Sequence, residues 1–321
     1  ITVNNISEVD ASELEVVKSN LGNLVSVEEN GFAAVNTAFL RDGAFIHLSD
    51  SCIPPSPINL VFITTKHENS VVTHPRILVV LEDNSSLTLV ESHVSESEES
   101  YFTNAVVEVK LGQNSQFDHY RYLMEGPSAF HVGNTYVNID RDSSFRSTSF
   151  ARGAKLARNG VDVTLDSPGS SCEVNGLYIT SGDQHIDNNV NIEHAKPHTR
   201  SDQYFKGILD GSSRAVFSGS VVISKNAQKA QATQSDKNLI LSDSARVNTK
   251  PSLEIYADDV QASHGATAGS VADDSIFYMM NRGLDEDTAK GLLVHGFARE
   301  IVDKVEPESL REHLSRKFSG T

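Results

Sequence analysis

The chain has no tryptophan, two cysteines and no long apolar run, and each shortage excludes a class of protein. Cys52 and Cys172 are too few for a disulfide framework or for a self-contained four-thiolate cluster site, which predicts a reducing compartment. No apolar stretch approaches the roughly 20 residues of a membrane span, and a signal-peptide pattern is absent from the first residues. We therefore expect a cytoplasmic protein without a membrane partner, or one of an organelle stroma or matrix if the source is eukaryotic.

Clusters of basic residues are also missing. The chain carries 27 Lys and Arg against 43 Asp and Glu, a formal net charge of -16. Phosphate recognition depends on clustered Lys and Arg, so this composition argues against a nucleic-acid partner. The sequence contains no G-x-S-x-G, P-loop or H-E-x-x-H signature, so no motif of these kinds indicates catalysis by this chain.

The composition is that of a folded protein, with 38% hydrophobic and 22% charged residues. Length does not decide between two ordinary domains and one elongated repeat domain, because 321 residues can bury a large core in either. Residues 1–30 are acidic and weakly patterned, with a short helix predicted from Ala11 to Leu21. Because the chain begins at Ile1 without methionine, we interpret them as the remnant of an N-terminal region whose helical segment is absent or reduced.

From Gly31 the pattern changes to short segments of strand-forming residues that end at Gly, Pro, Asn or Asp. The first four predicted strands are Phe32–Val35, Ala44–Leu48, Leu60–Thr64 and Ile77–Leu81. A polar turn that leads through a small residue into an alternating strand then recurs. The recurring positions are Ser86, Ser115, Ser144, Ser171, Ser213 and Ala245.

Most intervals between these positions are about 27 to 32 residues, a period typical of repeat architectures. One longer gap separates Ser171 from Ser213. No helical pattern of useful length lies between the strands, which argues against βαβ units and favours a coil of strands stacked on itself. An antiparallel sandwich would also give short strands, although its hairpins usually show more Asn-Gly or Asp-Gly turns.

Residues 271–321 show a helical period instead. Acidic residues from Asp273 predict a helix start and Gly283 predicts its end. A second helix is capped by Asp285, and a third is predicted from about Pro307 to Lys317. The apolar face of the second helix consists of Ala289, Leu293, Phe297, Ile301 and Val305. The ordinary role of such a face is to pack on the end of the β-coil.

Five stretches occur in an order that is typical of one family. They are GFAAVNTAFLRDGAFIHL from Gly31, HIDNNVNIEHAKPHTRSDQYFKGIL from His185, SRAVFSGSVVI from Ser213, NLILSDSARVNTKPSLEIYADDV from Asn238, and ADDV-x-x-SHGAT from Ala257 followed by DDSIFYMMNRG. Together they resemble the SufD branch of the SufB/SufD family, scaffold subunits of the SUF iron–sulfur cluster assembly machinery. The resemblance extends from about residue 31 to the C-terminus.

The resemblance implies a mainly β protein: a right-handed parallel β-helix core over residues 31–270, a short C-terminal helical domain over residues 271–321, and the N-terminal remnant over residues 1–30. It also implies a non-catalytic scaffold in a SufB–SufC–SufD complex that supports iron acquisition and cluster assembly at the SufB interface. The partners would be a SufB-like scaffold and a SufC-like ABC-type ATPase, and the chain alone can form a homodimer. A transient iron–sulfur cluster or iron would be shared with SufB, with none bound tightly by this chain alone.

His264 is the candidate ligand for iron or a cluster. Loop chemistry is expected around His264 and Gly265, and the ordinary role of such a histidine is to hydrogen-bond the local turn. The resemblance places the matching histidine at the SufB contact. SufD-like sequences typically carry a cysteine two residues earlier, where this chain has Ala262, so the partner would have to supply the thiolate. For docking of SufC, the resemblance points to the C-terminal helices, with Leu293, Phe297 and Ile301 as candidate anchors.

A second histidine cluster has a weaker claim. Alternation places His185 and Asp187 on one strand face, and His194 and His198 are four residues apart, a spacing that can chelate a metal on a helix. Pro197 lies between those two histidines, so structural hydrogen bonding is the favoured interpretation. The family adds no ligand role here.

The remaining candidates have ordinary interpretations. Cys52 and Cys172 are expected to be small packed residues rather than reactive thiols. A competing hypothesis is a carbohydrate-active β-helix enzyme, a polysaccharide lyase or hydrolase with an acid pair such as Asp140 and Asp142. The 7% aromatic content and the lack of tryptophan argue against a sugar platform, and a solvated turn is the favoured role for these acids.

Overall fold

The computed structural model describes residues 1–67, 69–96 and 98–318. Within these ranges the chain forms two sheets, A and B, whose long strands alternate along the sequence. Successive strands of one sheet are parallel and in register, with Phe102 opposite Phe130 in sheet A and Gln116 opposite Ser144 in sheet B. The predicted parallel β-helix is therefore confirmed, and the alternative of an antiparallel sandwich is wrong.

The elements have the following bounds. Sheet A contains β1 (Thr2–Asn5), β2 (Gly43–Leu48), β4 (Val72–Thr73), β5 (Arg76–Leu81), β7 (Phe102–Leu111), β9 (Phe130–Ile139), β11 (Leu156–Leu165), β13 (His185–His194), β15 (Arg214–Ile223) and β17 (Arg246–Ile255). Sheet B contains β3 (Ile58–Thr64), β6 (Ser86–Ser95), β8 (Gln116–Met124), β10 (Ser144–Arg152), β12 (Ser171–Thr180), β14 (Arg200–Leu209), β16 (Gln231–Ile240) and β18 (Gln261–Ser270). The helices are α1 (Ala11–Asn20), α2 (Gly31–Ala38), α3 (Asp273–Met280), α4 (Glu286–Val302) and α5 (Glu308–Phe318). The last three residues of the predicted C-terminal domain lie outside the described residues.

One corner of the solenoid repeats the same backbone conformation from coil to coil. A residue with positive φ, such as Asn84 at 58° or Asp142 at 54°, precedes a small buried residue, Ser85 or Ser143. The same conformation occurs at Ser51, Asn114, Gly169, His198 and Lys229. Asn, Asp and Gly tolerate this left-handed region best, and the buried hydroxyl closes the turn: Ser85 Oγ donates to the Glu82 carbonyl at 2.6 Å.

The longer gap in the sequence repeat marks a change of corner. Ser171 begins β12 of sheet B, whereas Ser213 comes directly before β15 of sheet A. The period that the sequence shows up to Ser171 therefore follows one corner of the coils, and from Ser213 to Ala245 it follows the opposite corner.

The apolar core lies between the two sheets, where alternate side chains of both point inward. Phe117 and Phe145 stack with ring centroids 5.8 Å apart, and Phe205 and Phe217 meet at 4.9 Å. All four rings are fully buried. The alternation predicted for the strands produces this interior directly.

The chain before β2 covers the outer face of the first strands of sheet A. The predicted helix from Ala11 to Leu21 is confirmed as α1, and β1 pairs antiparallel with β2 at the sheet edge. The predicted strand Phe32–Val35 is wrong, because these residues lie in α2. Asn30 caps that helix by accepting hydrogen bonds from the backbone N–H groups of Phe32 and Ala33. A short apolar run fits a helix as well as a strand, and here the cap decides.

The C-terminal helices pack on the outer face of sheet B, not on the end of the solenoid as expected. Ile301 and Leu314 are fully buried in a cluster with Phe150 and Ile208 of the sheet. The predicted cap of the second helix is confirmed, since Asp285 accepts a hydrogen bond from the Thr288 N–H at 2.8 Å directly before α4. The first helix begins at Asp273 as predicted, but no side chain caps it and it ends at Met280, before Gly283. Among the described residues, the helices are too short or too polar to cross a bilayer.

Candidate functional site

His264 lies on β18, the last strand of sheet B, so the prediction of a loop at this position is wrong. It is opposite Gln234 of β16, and Ala262 is opposite Ala232. Gln234 and Ala232 are buried between the sheets, so His264 and Ala262 occupy the inward-facing positions of the final coil. His264 nevertheless remains exposed. The expected accessible histidine is therefore present, at the open end of the solenoid.

Directly beneath this end, several buried polar side chains lack partners. Gln203 is fully buried, Gln234 is 2% exposed and Asp236 is 1% exposed. Both glutamine amides and Asp236 Oδ1 have no hydrogen-bond partner within the described part of the chain, although Asn238 donates to Asp236 Oδ2 at 2.7 Å. Burial raises the pKa of Asp236 to about 6. Buried polar groups are normally paired, so this end of the interior is incomplete as it stands.

Sequence reasoning missed these residues, although a signal was present. The segment QATQSDKNLI alternates like a buried strand, but its inward positions after Ala232 are Gln234, Asp236 and Asn238. Polar residues at three successive core positions are unusual in a half-buried strand and identify a polar interior.

Both final strands present free edges. Across the described residues, β17 and β18 each pair on one side alone, with β15 and β16. The end of β17 leaves apolar surface in water, since its last residue, Ile255, is 43% exposed and the next residue, Tyr256, is 61% exposed. A long exposed strand edge is a template for pairing with another chain. This arrangement can extend both sheets into a partner.

The second histidine cluster does not converge. His185 and Asp187 share the outward face of β13 as predicted, but His194 points inward, is fully buried and lies 2.7 Å from Thr199 Oγ1. His198 is a left-handed corner residue. Over the described ranges, no group of three or more His, Cys, Asp or Glu side chains could hold a metal ion. His194 has the hydrogen-bonding role that was favoured for this cluster.

The cysteines and the candidate acid pair also lie in structural positions. Cys172 is buried in the core, where desolvation raises the pKa of its thiol, and Cys52 is a half-buried corner residue. Asp140 accepts a hydrogen bond from Ser167 Oγ at 2.6 Å, and Asp142 supplies the left-handed residue of the same turn. The prediction of turn roles for both acids is confirmed.

The candidate anchors on α4 differ in accessibility. Ile301 is fully buried against sheet B, so it cannot contact a partner while α4 stays docked. Leu293 and Phe297 are half-buried, and the Phe297 ring lies 4.0 Å from Nζ of Lys206. Their anchor role stays a prediction. The exposed apolar side chains of this region are Phe277 (65%), Tyr278 (58%), Met280 (44%) and Leu292 (48%).

Comparison with known proteins supports the same assignment as the motifs. The family model of the SUF system FeS cluster assembly SufBD core domain matches residues 62–297. The chain is 35% identical to an iron–sulfur cluster assembly SufBD family protein of Synechocystis, over 99% of this chain and 72% of the relative. It is 29% identical to Escherichia coli SufD over 84% of the chain and 67% of the relative.

A third relative is Protein ABCI7, chloroplastic, of Arabidopsis thaliana, which is 30% identical over 90% of this chain and 62% of its own length. The relatives are thus longer than the chain. Since the family model spans most of the solenoid and reaches into α4, the predicted resemblance is confirmed: the chain belongs to the SufBD family of iron–sulfur cluster assembly proteins of the SUF system.

Proposed function

We propose that the chain is a non-catalytic scaffold subunit that pairs with a SufB-like protein through the open end of its solenoid and holds a SufC-like ATPase on its C-terminal helices. The observation that supports this best is the bare final coil. Its two strand edges, its exposed apolar residues and the unpartnered polar atoms beneath it all lie at the same end. A partner strand added to β17 or β18 would satisfy the free backbone groups and cover the interior.

The iron or nascent cluster is cargo in this proposal. His264 offers one imidazole, and Ala262 offers a methyl group that cannot ligate iron. One nitrogen donor is too few to retain iron, so the partner must complete the ligand set, with a thiolate as the expected donor. The position of His264 on an inward-facing register at the pairing edge would place it at the boundary between the two subunits.

The docking of the ATPase is assigned to the exposed apolar surface of α3 and the first half of α4. Leu292 and Phe277 are open to solvent, whereas the later apolar residues of α4 are committed to sheet B. Lys206 of sheet B also holds the later part of α4 in place, since its Nζ lies 2.8 Å from Glu300 Oε2. Movement of the ATPase subunits would therefore be transmitted through a firmly attached helix.

The test is co-purification with the SufB-like and SufC-like proteins of the same source, using edge variants at opposite ends. Ala268→Lys adds a charge to exposed β18, and Ile63→Lys adds one to β3, the other free edge of sheet B, where Ile63 is 57% exposed. Ala268→Lys should weaken SufB binding about 100-fold, because an unpaired buried charge costs about 3 kcal/mol. Ile63→Lys should leave it unchanged. Equal effects of the two variants would contradict pairing through the open end.

Two further variants separate the remaining parts of the proposal. Leu292→Asp should abolish SufC binding, with Leu14→Asp on α1, 38% exposed, as the matched control. His264→Ala should keep the SufB complex intact but lower the iron retained per complex in anaerobic titration. An unchanged iron content would remove His264 from the ligand set and leave the pairing assignment standing.

A further inference from the structure

The strand β3 has the composition of a buried strand but lies at an edge. It reads INLVFIT, and every residue except Asn59 and Thr64 is apolar. Strands with such a continuous apolar run are usually covered on both faces. β3 is instead the outermost strand of sheet B at the first end of the solenoid, the end that also carries β1 and β2. Among the described residues it pairs with β6 alone.

Neither face of β3 is fully covered. Leu60 and Phe62 point inward and pack against the core, yet both are only half-buried. Val61 and Ile63 point outward and are 55% and 57% exposed. Natural edge strands are usually protected by a charge, a proline or a bulge, and β3 itself contains none of these. Its outer row of backbone N–H and C=O groups is therefore open to another strand.

Exposed apolar side chains of neighbouring elements continue the surface of β3. Ile63 lines one groove together with Val35 and Phe39 of α2 and Val72 of β4. Phe39 is 63% exposed and Val72 is 58% exposed. Large apolar patches of this kind mark interaction sites on soluble proteins. The members of this first-end patch are Phe32, Val35, Phe39, Val61, Ile63 and Val72.

The first-end patch carries no charge. α2, β3 and β4 contain no Asp, Glu, Lys or Arg, and neither do residues 51–65, although 22% of the chain is charged and its net charge is -16. Two copies of so acidic a chain repel each other wherever their acidic surfaces meet. A contact between copies is therefore favoured where charge is absent. Arg41 and Asp42 line the edge of the same groove with opposite charges, which suits the polar rim of an interface.

The area of the patch fits the same partner. Its side chains are 40–63% exposed. If a large apolar residue presents roughly 150–250 Å² when uncovered, the patch leaves roughly 600 Å² per chain in water. A standard interface buries about 800 Å² per partner, of which about 65% is apolar in homodimers. The patch therefore supplies the apolar area that a two-fold dimer needs.

The β3 strand is also complementary to its own copy. Residues directly opposite each other in an antiparallel pair point to the same face of the sheet, so a two-fold axis between two such strands must pass through a residue. An axis at Val61, the middle of β3, pairs the whole strand. Val61 then lies opposite its copy on the outer face, and Leu60 lies opposite Phe62 on the inner face. Apolar side chains thus meet on both faces of the joined sheets.

We propose that two copies of this chain associate through their first ends, with the β3 strands paired antiparallel about Val61 and the exposed apolar side chains of α2 and β4 buried around them. This contact lies at the opposite end from the pairing proposed for a SufB-like partner, so the two assignments are independent. A dimer of this kind leaves both last ends free and can carry one SufB-like partner at each.

Sedimentation velocity over a concentration series measures this association. The parent chain should form a dimer. Val61→Lys should weaken it at least about tenfold, because it places two like charges opposite each other in a covered apolar contact. Val61 is 55% exposed, so this variant is expected to fold. Ala268→Lys, on exposed β18 at the last end, is the control and should dimerise like the parent. A parent chain that stays monomeric, or a dimer that survives Val61→Lys, would overturn the proposal.

A disulfide test fixes the register. In a Cys52→Ser background, Val61→Cys should form an intermolecular disulfide on oxidation, because opposite residues of an antiparallel pair have Cα atoms about 4.5–5.5 Å apart, within reach of a disulfide. Asn59→Cys is the matched control: the two copies of Asn59 are offset by roughly 13 Å along the strands, so they should not cross-link. Cys172 is buried and takes no part. Equal cross-linking of the two variants, or cross-linking of Asn59→Cys alone, would refute the pairing of β3 with its copy.

Discussion

The two ends of the solenoid differ in how their exposed groups are covered. At the first end, β3 leaves one edge of sheet B free, but β1 pairs along the edge of sheet A, and α1 and α2 cover the outer face of sheet A over a buried ion pair between Arg76 and Glu108. At the last end, β17 and β18 have free edges, and several buried side-chain atoms beneath them find no hydrogen-bond partner in the described part of the chain. A buried charge is normally paired, as Arg76 is with Glu108 at the first end. The contrast supports the proposal that another chain covers the last end.

The largest expected effect comes from breaking the completed end. Arg76 and Glu108 are fully buried, 2.6 Å apart, and Glu108 also accepts the Gly22 N–H at 2.9 Å. Arg76→Ala leaves a carboxylate buried without its charge partner, so the free energy of unfolding should fall by about 3–5 kcal/mol in urea titration.

The matched control is Arg158→Ala, since Arg158 is 44% exposed and its Nε lies 3.9 Å from Asp187. Exposed pairs contribute about 0–1 kcal/mol, so this variant should be nearly neutral. If Arg76→Ala were equally mild, the first end would not be held by its ion pair, and the contrast between the ends would lose its energetic basis.

The next effect concerns the helices on sheet B. Ile301 is fully buried between α4 and sheet B, so Ile301→Ala should lower the free energy of unfolding by about 2–4 kcal/mol. The loss should appear first as faster hydrogen exchange in α4 and α5. Leu292→Ala, 48% exposed on the same helix, is the control and should leave exchange unchanged. Similar exchange in the two variants would mean that α4 is not anchored through its late turns, and Ile301 would again be a candidate contact for a partner.

Much of the fold could be predicted from the sequence, because its signals are local. Alternating side chains and a small residue at each corner, such as Ser115 or Ser143, report the backbone path without reference to distant contacts. The helical period after Asp273 is equally local. The surface on which the helices pack could not be predicted. The face of α4 that carries Ile301 would be apolar wherever the helix packed. The apolar residues on the outer face of sheet B fit the same alternating pattern as any other strand residues.

The candidate site was predicted in part. The accessible His264 could be located by its motif, but its strand conformation could not, because Gly265 and Gly269 are poor strand formers and pairing with β16 overrides their propensity. Likewise, the strand predicted at Phe32–Val35 is a helix: Asn30 caps it locally, and Asn36 fixes it to the sheet by donating to the Asn104 carbonyl at 2.8 Å, a contact far apart in sequence.

A smaller effect is expected in the pH dependence of stability, which tests the interpretation of the last end. Burial raises the pKa of Asp236 to about 6, above its ordinary value of 3.8, so the folded state holds its proton more tightly than the unfolded state. Between these two values stability falls as pH rises, and above about 6 the full penalty of a buried carboxylate remains.

Asp236→Asn should therefore be more stable than the parent at pH 7.5 by about 1–3 kcal/mol, with the difference vanishing below pH 4. Urea titrations of the two proteins across pH 4 to 8 measure this gap, and Asp243→Asn, at an exposed turn, is the control. A gap that stays constant with pH would show that Asp236 is already satisfied in the isolated chain, which would weaken the interpretation of an unfinished interior.

The smallest effect compares one corner position in two coils. Cys52 follows the left-handed Ser51 just as Ser85 follows the left-handed Asn84, so the two residues occupy the same corner position. Ser85 is 1% exposed, whereas Cys52 is half-buried because it belongs to the first coil. Cys172 is 4% exposed, and burial raises the pKa of its thiol, so it lacks both access and thiolate character. A thiol reagent should thus modify Cys52 in the native protein and Cys172 only after unfolding. Cys52→Ser should remove the native reaction entirely; a native reaction that persists in Cys52→Ser would mean that the middle coils open readily and that the ends are not the exposed parts of the solenoid.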